Sequence, residues 1–405
     1  MSNIFDIGII GMGVAGVFCI HKLSTKHKGI KILGIDLGAK PAKRRRALEG
    51  FLGVLPSSDG KLYLNDIAKV SNIVGNRKAK SSYNKVLETL SNVGTFDVIK
   101  DRAPNISLEN KFNKIGYNIT LNDHIQIYPK DIHMFSKYIV ETIEDNKNIT
   151  FKFDEEVSKI YKQKNVFVIS TNEQEYRCKK LIIAVGRSGW RWAKEIYSTF
   201  GIIDNNDTAR YGIRIEMNSD ILKDFNKSNC SLMKGNEIDL GPLSWFGTII
   251  PEDHLDMAIS SFRSNEGRWK SDKVSFNLIG NRFYPEKGFD QTDRIGKLTF
   301  VLSNDRIIKE KISHILTGKS KISILPDYDW IKPVLIELAN VIPEITTKAY
   351  YHIPTITPLA PKINLGDNLS TEVDGMFVAG ESAGIIGILA AAMTGSIVGD
   401  TVCRK

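Results

Sequence analysis

From Phe5 to Ile10 the chain reads FDIGII, an apolar run broken only by Asp6, and three spaced glycines follow in GMGVAG. A short run of this kind predicts a parallel strand buried on both faces. Val14 to Leu23 predicts the helix after it. IKILGID repeats the strand pattern and closes on Asp36. Strand patterns return far downstream in KNVFVIST and in EYRCKKLIIAV, which runs into a turn at Gly186. Near the C-terminus, DGMFVAGESAGIIGILAAAMTGSIVGD predicts a short strand, a Gly-Glu turn and a helix of small residues. From about Ile196 to Ile353 the periods are mixed. YGIRIEM, DKVSFNLI and GKLTFVLS read as strands, while DRIIKEKISHIL and DWIKPVLIELANVI read as helices. The pattern predicts a chain that leaves its first sheet and comes back to it at the end.

Composition narrows the class. At 405 residues there is room for two domains, and 42% hydrophobic with 25% charged residues is the make-up of an ordinary folded protein. The net charge is +9 with a pI near 9.1. Its lysines are scattered, which reads as a solvated surface more than as a nucleic-acid or membrane face. Cys19, Cys178, Cys230 and Cys403 lie far apart with no CxxC pair, so neither a metal site nor a disulfide framework is expected. A reducing cytoplasm is the natural setting. The N-terminal run does not read as a secretory leader, because Asp6 precedes its core, no basic residue does, and glycines interrupt it. His21 and Lys22 cut it below the ~20 residues of a spanning helix. The run GIIGILAAAMTGSIVG is also short, and no membrane span is expected.

The glycines carry the first chemistry. Gly11, Gly13 and Gly16 make G-x-G-x-x-G between strand and helix. In that pattern the first glycine allows the tight turn, the second the approach of a pyrophosphate, and the third close packing of helix on strand. The phosphates would rest on free N–H groups at the helix start. Asp36 stands twenty positions after Gly16, where a carboxylate would accept from an adenosine ribose. Its charge also disfavours a 2′-phosphate. Lys40, Lys43, Arg44, Arg45 and Arg46 are near enough in sequence to neutralise a pyrophosphate.

GMGVAG with Asp36, the mid-chain LIIAVGRSG and the C-terminal GMFVAGESAGIIG together resemble an FAD-dependent oxidoreductase of the glutathione-reductase-like flavoprotein superfamily. GFLGVLPSSDGKL, LIIAVGRSGWRW and YGIRIEM make the similarity closest to largely uncharacterised bacterial FAD-dependent dehydrogenases, with geranylgeranyl reductases more distant. The resemblance implies an α/β chain. A Rossmann-like FAD-binding domain would be built from discontinuous segments, 1–77, 129–195 and 354–405, with an α+β substrate domain from 78–128 and 196–353. It implies FAD contacts from Gly11, Gly13, Val14, Ala15, Gly16, Asp36, Leu37 and Arg44. Gly53, Asp59 and Lys61 would face the flavin or its linker, and Val157 the adenine. Ala184 and Gly186 mark the return turn, Glu381 the ribityl acid, and Gly380, Gly384 and Ile385 the backbone near the flavin pyrimidine. A helix starting at about Gly384 would point its positive end there. The usual acid at the Glu381 position is Asp, and the cysteine-bearing segment of the relatives is replaced here by PLSWFGTIIPEDHLDMAISSF. Trp190-x-Trp192 lacks the Ile-Pro of the halogenase motif, and the Asp-Gly of aromatic hydroxylases is missing beside Gly186.

For proton transfer the cluster Tyr350, Tyr351 and His352 stands just before the flavin-binding end. Arg187, Arg191, Arg214 and Arg263 are available to hold an anionic substrate. The expected activity is hydride transfer between flavin N5 and a small organic substrate, with NAD(P)H or a partner reductase as electron donor. A flavin monooxygenase or oxidase is the alternative within enzymes. An RNA-binding or RNA-modifying flavoprotein is the alternative outside that class.

Overall fold

The structure, a computed structural model, describes residues 4–27, 29–44, 48–144, 146–254, 257–263, 270–285, 287–304, 306–357 and 361–403. β1 (Ile4–Ile10) passes through the glycine turn into α1 (Val14–Lys26), and β2 (Ile32–Ile35) returns parallel to β1 with Ile7 opposite Ile32. After α2 (Asp66–Val74), α3 (Asn76–Ser91) and α4 (Pro129–Glu144), β3 (Ile149–Lys152) joins the outer side of β2. β4 (Val157–Gln163) and β5 (Val166–Thr171) form a hairpin, and β6 (Glu175–Ile183) runs from it into the centre of the sheet. The first half of β6 pairs antiparallel with β5, while its other side lies parallel to β1. α5 (Trp190–Thr199) follows.

The chain then builds a second sheet. β7 (Thr208–Asn218), β8 (Ser231–Lys234), β9 (Ile238–Leu240) and β10 (Lys273–Phe283) precede α6 (Gly288–Leu302), β11 (Ile308–Lys311) and β12 (Tyr350–Ile356). The order is β11-β12-β7-β10-β9-β8, ending on the short strand Asn118–Thr120. Asp101 ties that early segment in, because its carboxylate accepts the N–H groups of Asn122 and Asn229 and the hydroxyl of Ser228. Tyr211, Ile213, Ile215, Leu278, Tyr351 and Ile353 are fully enclosed.

Two expectations fail in this sheet. GKLTFVLS is no strand but the end of α6, whose Thr292 and Thr299 hydroxyls bond the carbonyls of Gly288 and Ile295 and whose inner face packs on β7 and β12. Much of DRIIKEKISHIL is no helix either. Ile308 to Lys311 pair with β12 as an edge strand, and only Ile312–Leu316 are helical. Lysine and glutamate favour helix locally, but burying Ile308 against the sheet decides the outcome.

At its end the chain returns. β13 (Met376–Val378) lies parallel to the second half of β6, Leu181 opposite Met376, and completes the order β3-β2-β1-β6-β13. α7 (Ile388–Thr401) packs on α1 so closely that a Cβ at Gly395 would stand 2.1 Å from the Ala15 carbonyl oxygen. α3 covers α7 from outside, with the Ser82 hydroxyl donating to Met393 O at 2.7 Å. The chain divides into two compact units. One comprises Met1–Val98, Ile125–Asn205 and Ala360–Lys405, the other Ile99–His124 and Asn206–Leu359.

Candidate functional site

In open α/β sheets a ligand crevice forms where the strand order reverses, at the carboxyl ends of the strands. Here that point lies between β1 and β6, where Ala184 N donates to Ile10 O at 2.8 Å. Gly11 turns there with φ +93°, and a Cβ on it would stand 2.4 Å from the Ala184 carbonyl oxygen. A Cβ at Gly16 would stand 2.0 Å from Gly11 O. Packing inside the protein therefore requires both glycines. Gly13 differs. Its φ of −64° suits any residue, and the nearest heavy atom to a Cβ there would be Gly53 Cα at 3.9 Å. Nothing within the described fold demands glycine at position 13. α1 starts there with no side-chain cap and no acid in its first turn, so no side chain of its own offsets its positive end.

Asp36, at the end of β2, is buried and faces back into this turn. Its Oδ2 accepts Met12 N at 2.6 Å, while Oδ1 accepts Gly38 N at 2.7 Å and Gly50 N at 2.9 Å. Burial pushes the carboxyl up while the three N–H donors pull it down; the net shift is upward. Asp36 thus locks three loops together, and a carboxylate has room for about one further donor. Leu37 beside it is exposed. Arg44 bonds the carbonyls of Phe51 and Gly53, and Leu52 N donates to Met12 O at 2.9 Å. Segment 50–53 is held in this way against Gly13. Lys40 and Lys43 are exposed, while Arg45 and Arg46 lie outside the described residues.

The remaining expected contacts fall at several points of the same unit. Asp59 and Lys61 pair with each other at 3.3 Å across a turn whose Gly60 carbonyl accepts Ile127 N. Val157 is buried, and its carbonyl accepts the Trp192 indole N–H at 2.7 Å. Past Ala184 and Gly186, the Arg187 guanidinium meets Glu381 with Nη2–Oε1 at 3.0 Å and Nε–Oε2 at 3.4 Å. Val185 N donates to the Ser382 hydroxyl, and the Tyr197 hydroxyl donates to Ser382 O. Gly380 and Ile385 are buried, and Gly384 abuts the Pro361 carbonyl.

The last helix departs from expectation. A 3-10 turn covers Gly380–Ala383, and α7 begins at Ile388, not near Gly384. The intervening Gly387 has φ +139°, which a helix cannot include. At this start sits a group with no signal in the sequence, Asp66 of α2, which is 2% exposed. It accepts Lys69 Nζ at 2.7 Å and Ala390 N at 3.4 Å, and Lys69 also reaches Ile386 O. Burial holds the Asp66 carboxyl above the usual range.

Tyr350, Tyr351 and His352 lie on β12 of the other unit, and strand alternation splits them. Tyr351 turns to one face, where its hydroxyl is shared between Ser320 and Glu310 and burial drives its pKa far up. Tyr350 and His352 turn to the other, beside Glu216 and Arg214 of β7. His352 Nε2 lies 3.3 Å from Glu216 Oε2. Arg214 Nη1 bonds Ser275 at 3.3 Å. The Arg263 side chain lies outside the described residues. Among the described residues no group of three or more His, Cys, Asp or Glu could hold a metal ion, and no helix is long and apolar enough to cross a membrane.

Sheet order, glycine turn and returning strand and helix define an α/β chain with a Rossmann-type unit and an α+β unit. No family model matches it, and no curated protein does. Among solved structures it is similar to glycine oxidase from Geobacillus kaustophilus at 14% identity, over 100% of this chain and 96% of that one, with a TM-score of 0.47. L-proline dehydrogenase from P. horikoshii is 11% identical over 100% and 94%, with a TM-score of 0.46. Halogenase PltM, solved with phloroglucinol and FAD, is 12% identical over 99% and 68%, with a TM-score of 0.46.

Proposed function

We propose that the chain binds FAD at the Gly11–Gly16 turn and is an oxidoreductase moving hydride between the flavin and a small organic substrate. One observation carries the reading. Gly13 is the single glycine of the fingerprint that the protein's own packing does not need, and it stands at the uncapped positive end of α1. A bound pyrophosphate gives that glycine its reason. FAD, when bound, supplies a two-electron centre that exchanges hydride with organic molecules.

The chain's own residues bind and orient. Backbone N–H groups at Gly13, Val14 and Ala15 hold phosphate, and Asp36 keeps one acceptor position for a ribose hydroxyl. Arg44 acts at one remove, by fixing segment 50–53 against Gly13. Glu381, steadied by Arg187, accepts from hydroxyls of the ribityl chain. Proton transfer is assigned to the face of β12 that bears Tyr350 and His352, and electrons to NAD(P)H or a partner reductase. The proposed cofactor domain, 1–77, 129–195 and 354–405 by sequence, extends through α3, in line with the compact unit Met1–Val98, Ile125–Asn205 and Ala360–Lys405.

The test is the absorption spectrum of the purified protein, with identification of any chromophore released on denaturation. Flavin bands and released FAD are expected. Gly13→Ala should weaken FAD binding at least about tenfold while costing no more than about 1 kcal/mol of stability. A protein that stays colourless after incubation with FAD overturns the reading.

A further inference from the structure

The second unit contains a cavity of about 310 Å³, at the lower end of the ~300–1,000 Å³ typical of small-molecule sites. The sheet register builds it. Tyr350 stands opposite Glu216 across β12 and β7, Lys273 opposite Asn218 across β10 and β7, and Lys309 on β11 opposite His352. Alternation brings Tyr350, Glu216 and His352 to one face of the sheet.

Charge inside the cavity is arranged in two layers. At the back, Glu216 is 9% exposed and accepts Lys309 Nζ at 2.6 Å and His352 at 3.3 Å. Burial pushes Glu216 up, but the bonds to His352 and Lys309 outweigh it and bring it down to about 2. Burial also lowers His352, with Glu216 pulling the other way, and the Lys309 ammonium pairs with Glu216. His352 is 4% exposed, and its Nδ1 has no hydrogen-bond partner among the described residues. Nearer the mouth, Lys273 lies 3.2 Å from Asp272, while Lys348 and the Tyr350 hydroxyl have no partner among the described residues. Of the three lysines in the lining, Lys309 pairs with Glu216 and Lys273 with Asp272, which leaves Lys348 without an ion pair among the described residues.

The walls are apolar despite these charges. Ile221, the Tyr350 ring and the lysine methylenes supply them, and the Lys309 ammonium sits 5.1 Å from the Tyr350 ring centroid. An inorganic anion would leave that surface unused. A molecule with a carboxylate and a hydrocarbon body matches both features.

We propose that this cavity binds a small organic carboxylic acid, its carboxylate held by Lys348 and the Tyr350 hydroxyl with Lys273 close by, and its body laid on Ile221 and the Tyr350 ring. The site needs no bound nucleotide, so its failure and the failure of the FAD reading are seen in separate measurements. Glu216 and Lys309 act as positioning residues, fixing the back wall by their ion pair.

Calorimetric titration of the full chain with benzoate, phenylacetate and hexanoate tests the proposal, with benzamide and inorganic phosphate as comparators. At least one acid should bind, with benzamide and phosphate each at least about tenfold weaker, the loss expected for a missing charge-assisted bond or missing apolar contact. Lys348→Gln should weaken the acid about tenfold and Tyr350→Phe about threefold. Gly13→Ala should leave its affinity unchanged. Lys348 is exposed, so its replacement does not threaten folding. Absence of binding by all three acids overturns the proposal. So does equal binding of benzamide or phosphate, or acid binding that Lys348→Gln leaves intact.

Discussion

Two helices of the first unit, α1 and α7, lie against each other, and each starts just beyond a parallel strand through a glycine-bearing turn. Their positive ends are treated in opposite ways. α1 begins with no acid in its first turn, and a Cβ at Gly13 would meet nothing nearer than Gly53 Cα at 3.9 Å. α7 begins against the buried carboxylate of Asp66, which a Cβ at Gly387 would meet at 2.1 Å. One end meets no acid in its first turn, and the other is supplied with a carboxylate of its own. A strand, a glycine turn and a helix therefore do not by themselves announce a ligand. What matters is whether the protein already fills the helix start.

The largest effect expected from breaking this comparison is at Gly11. Gly11→Ala puts a side chain at φ +93° and 2.4 Å from the Ala184 carbonyl oxygen, and should cost at least about 4 kcal/mol in chemical denaturation. Gly13→Ala, two residues on, should lose cofactor and keep the fold. Equal destabilisation by both would remove the distinction between packing glycine and ligand glycine.

Gly387→Ala comes next, at about 3 kcal/mol, because it combines a positive φ with collision against Asp66. Asp66→Asn should be milder, about 1–2 kcal/mol, since the amide keeps an acceptor for Ala390 N but loses the charge facing Lys69. A neutral result in urea denaturation would show that α7 does not need its internal anion.

The smallest effect lies at the far end of the pair. Asp400 of α7 meets Lys26 at 3.0 Å and Lys22 at 3.9 Å on α1, and also Lys85 of α3. Burial raises its pKa, but the lysines more than offset that and hold it below the ordinary value of 3.8. Its contribution is therefore present above the unfolded-state pKa and lost as pH falls through the folded-state value. Asp400→Asn should cost about 1 kcal/mol near neutral pH, because the lysines are partly solvated. The gap between the melting temperatures of the parent and the variant should close as pH falls below the ordinary carboxylate value and through the lower folded-state one. A gap that persists there would mean the loss is one of packing.

Much of the first unit was legible because its signals are local. An apolar run, glycines at fixed spacing and an acid at the end of the second strand lie within one strand–helix–strand unit, and β6 and β13 repeat the run. In the second unit the local signal misled. Thr299, Phe300 and Val301 look like strand residues, yet they close α6, and Lys309 to Lys311 look helical yet pair with β12. At Tyr350–His352 adjacency in sequence suggested one cluster, but in a strand neighbours face opposite ways.

The sequence by itself determined β1, β2, β5, β6 and β13 of the first sheet, the glycine turn and the return of the chain, since each depends on periodicity and spacing within a few residues. Only the tertiary structure decided which groups are already engaged. Asp36 is drawn into three backbone bonds, Asp66 is carried to α7 by the packing of α2, and Glu216, Lys309 and Tyr350 come together from three strands. Contacts between residues tens to hundreds of positions apart leave no mark in local pattern, because they are selected by burial and charge compensation after the sheets have formed.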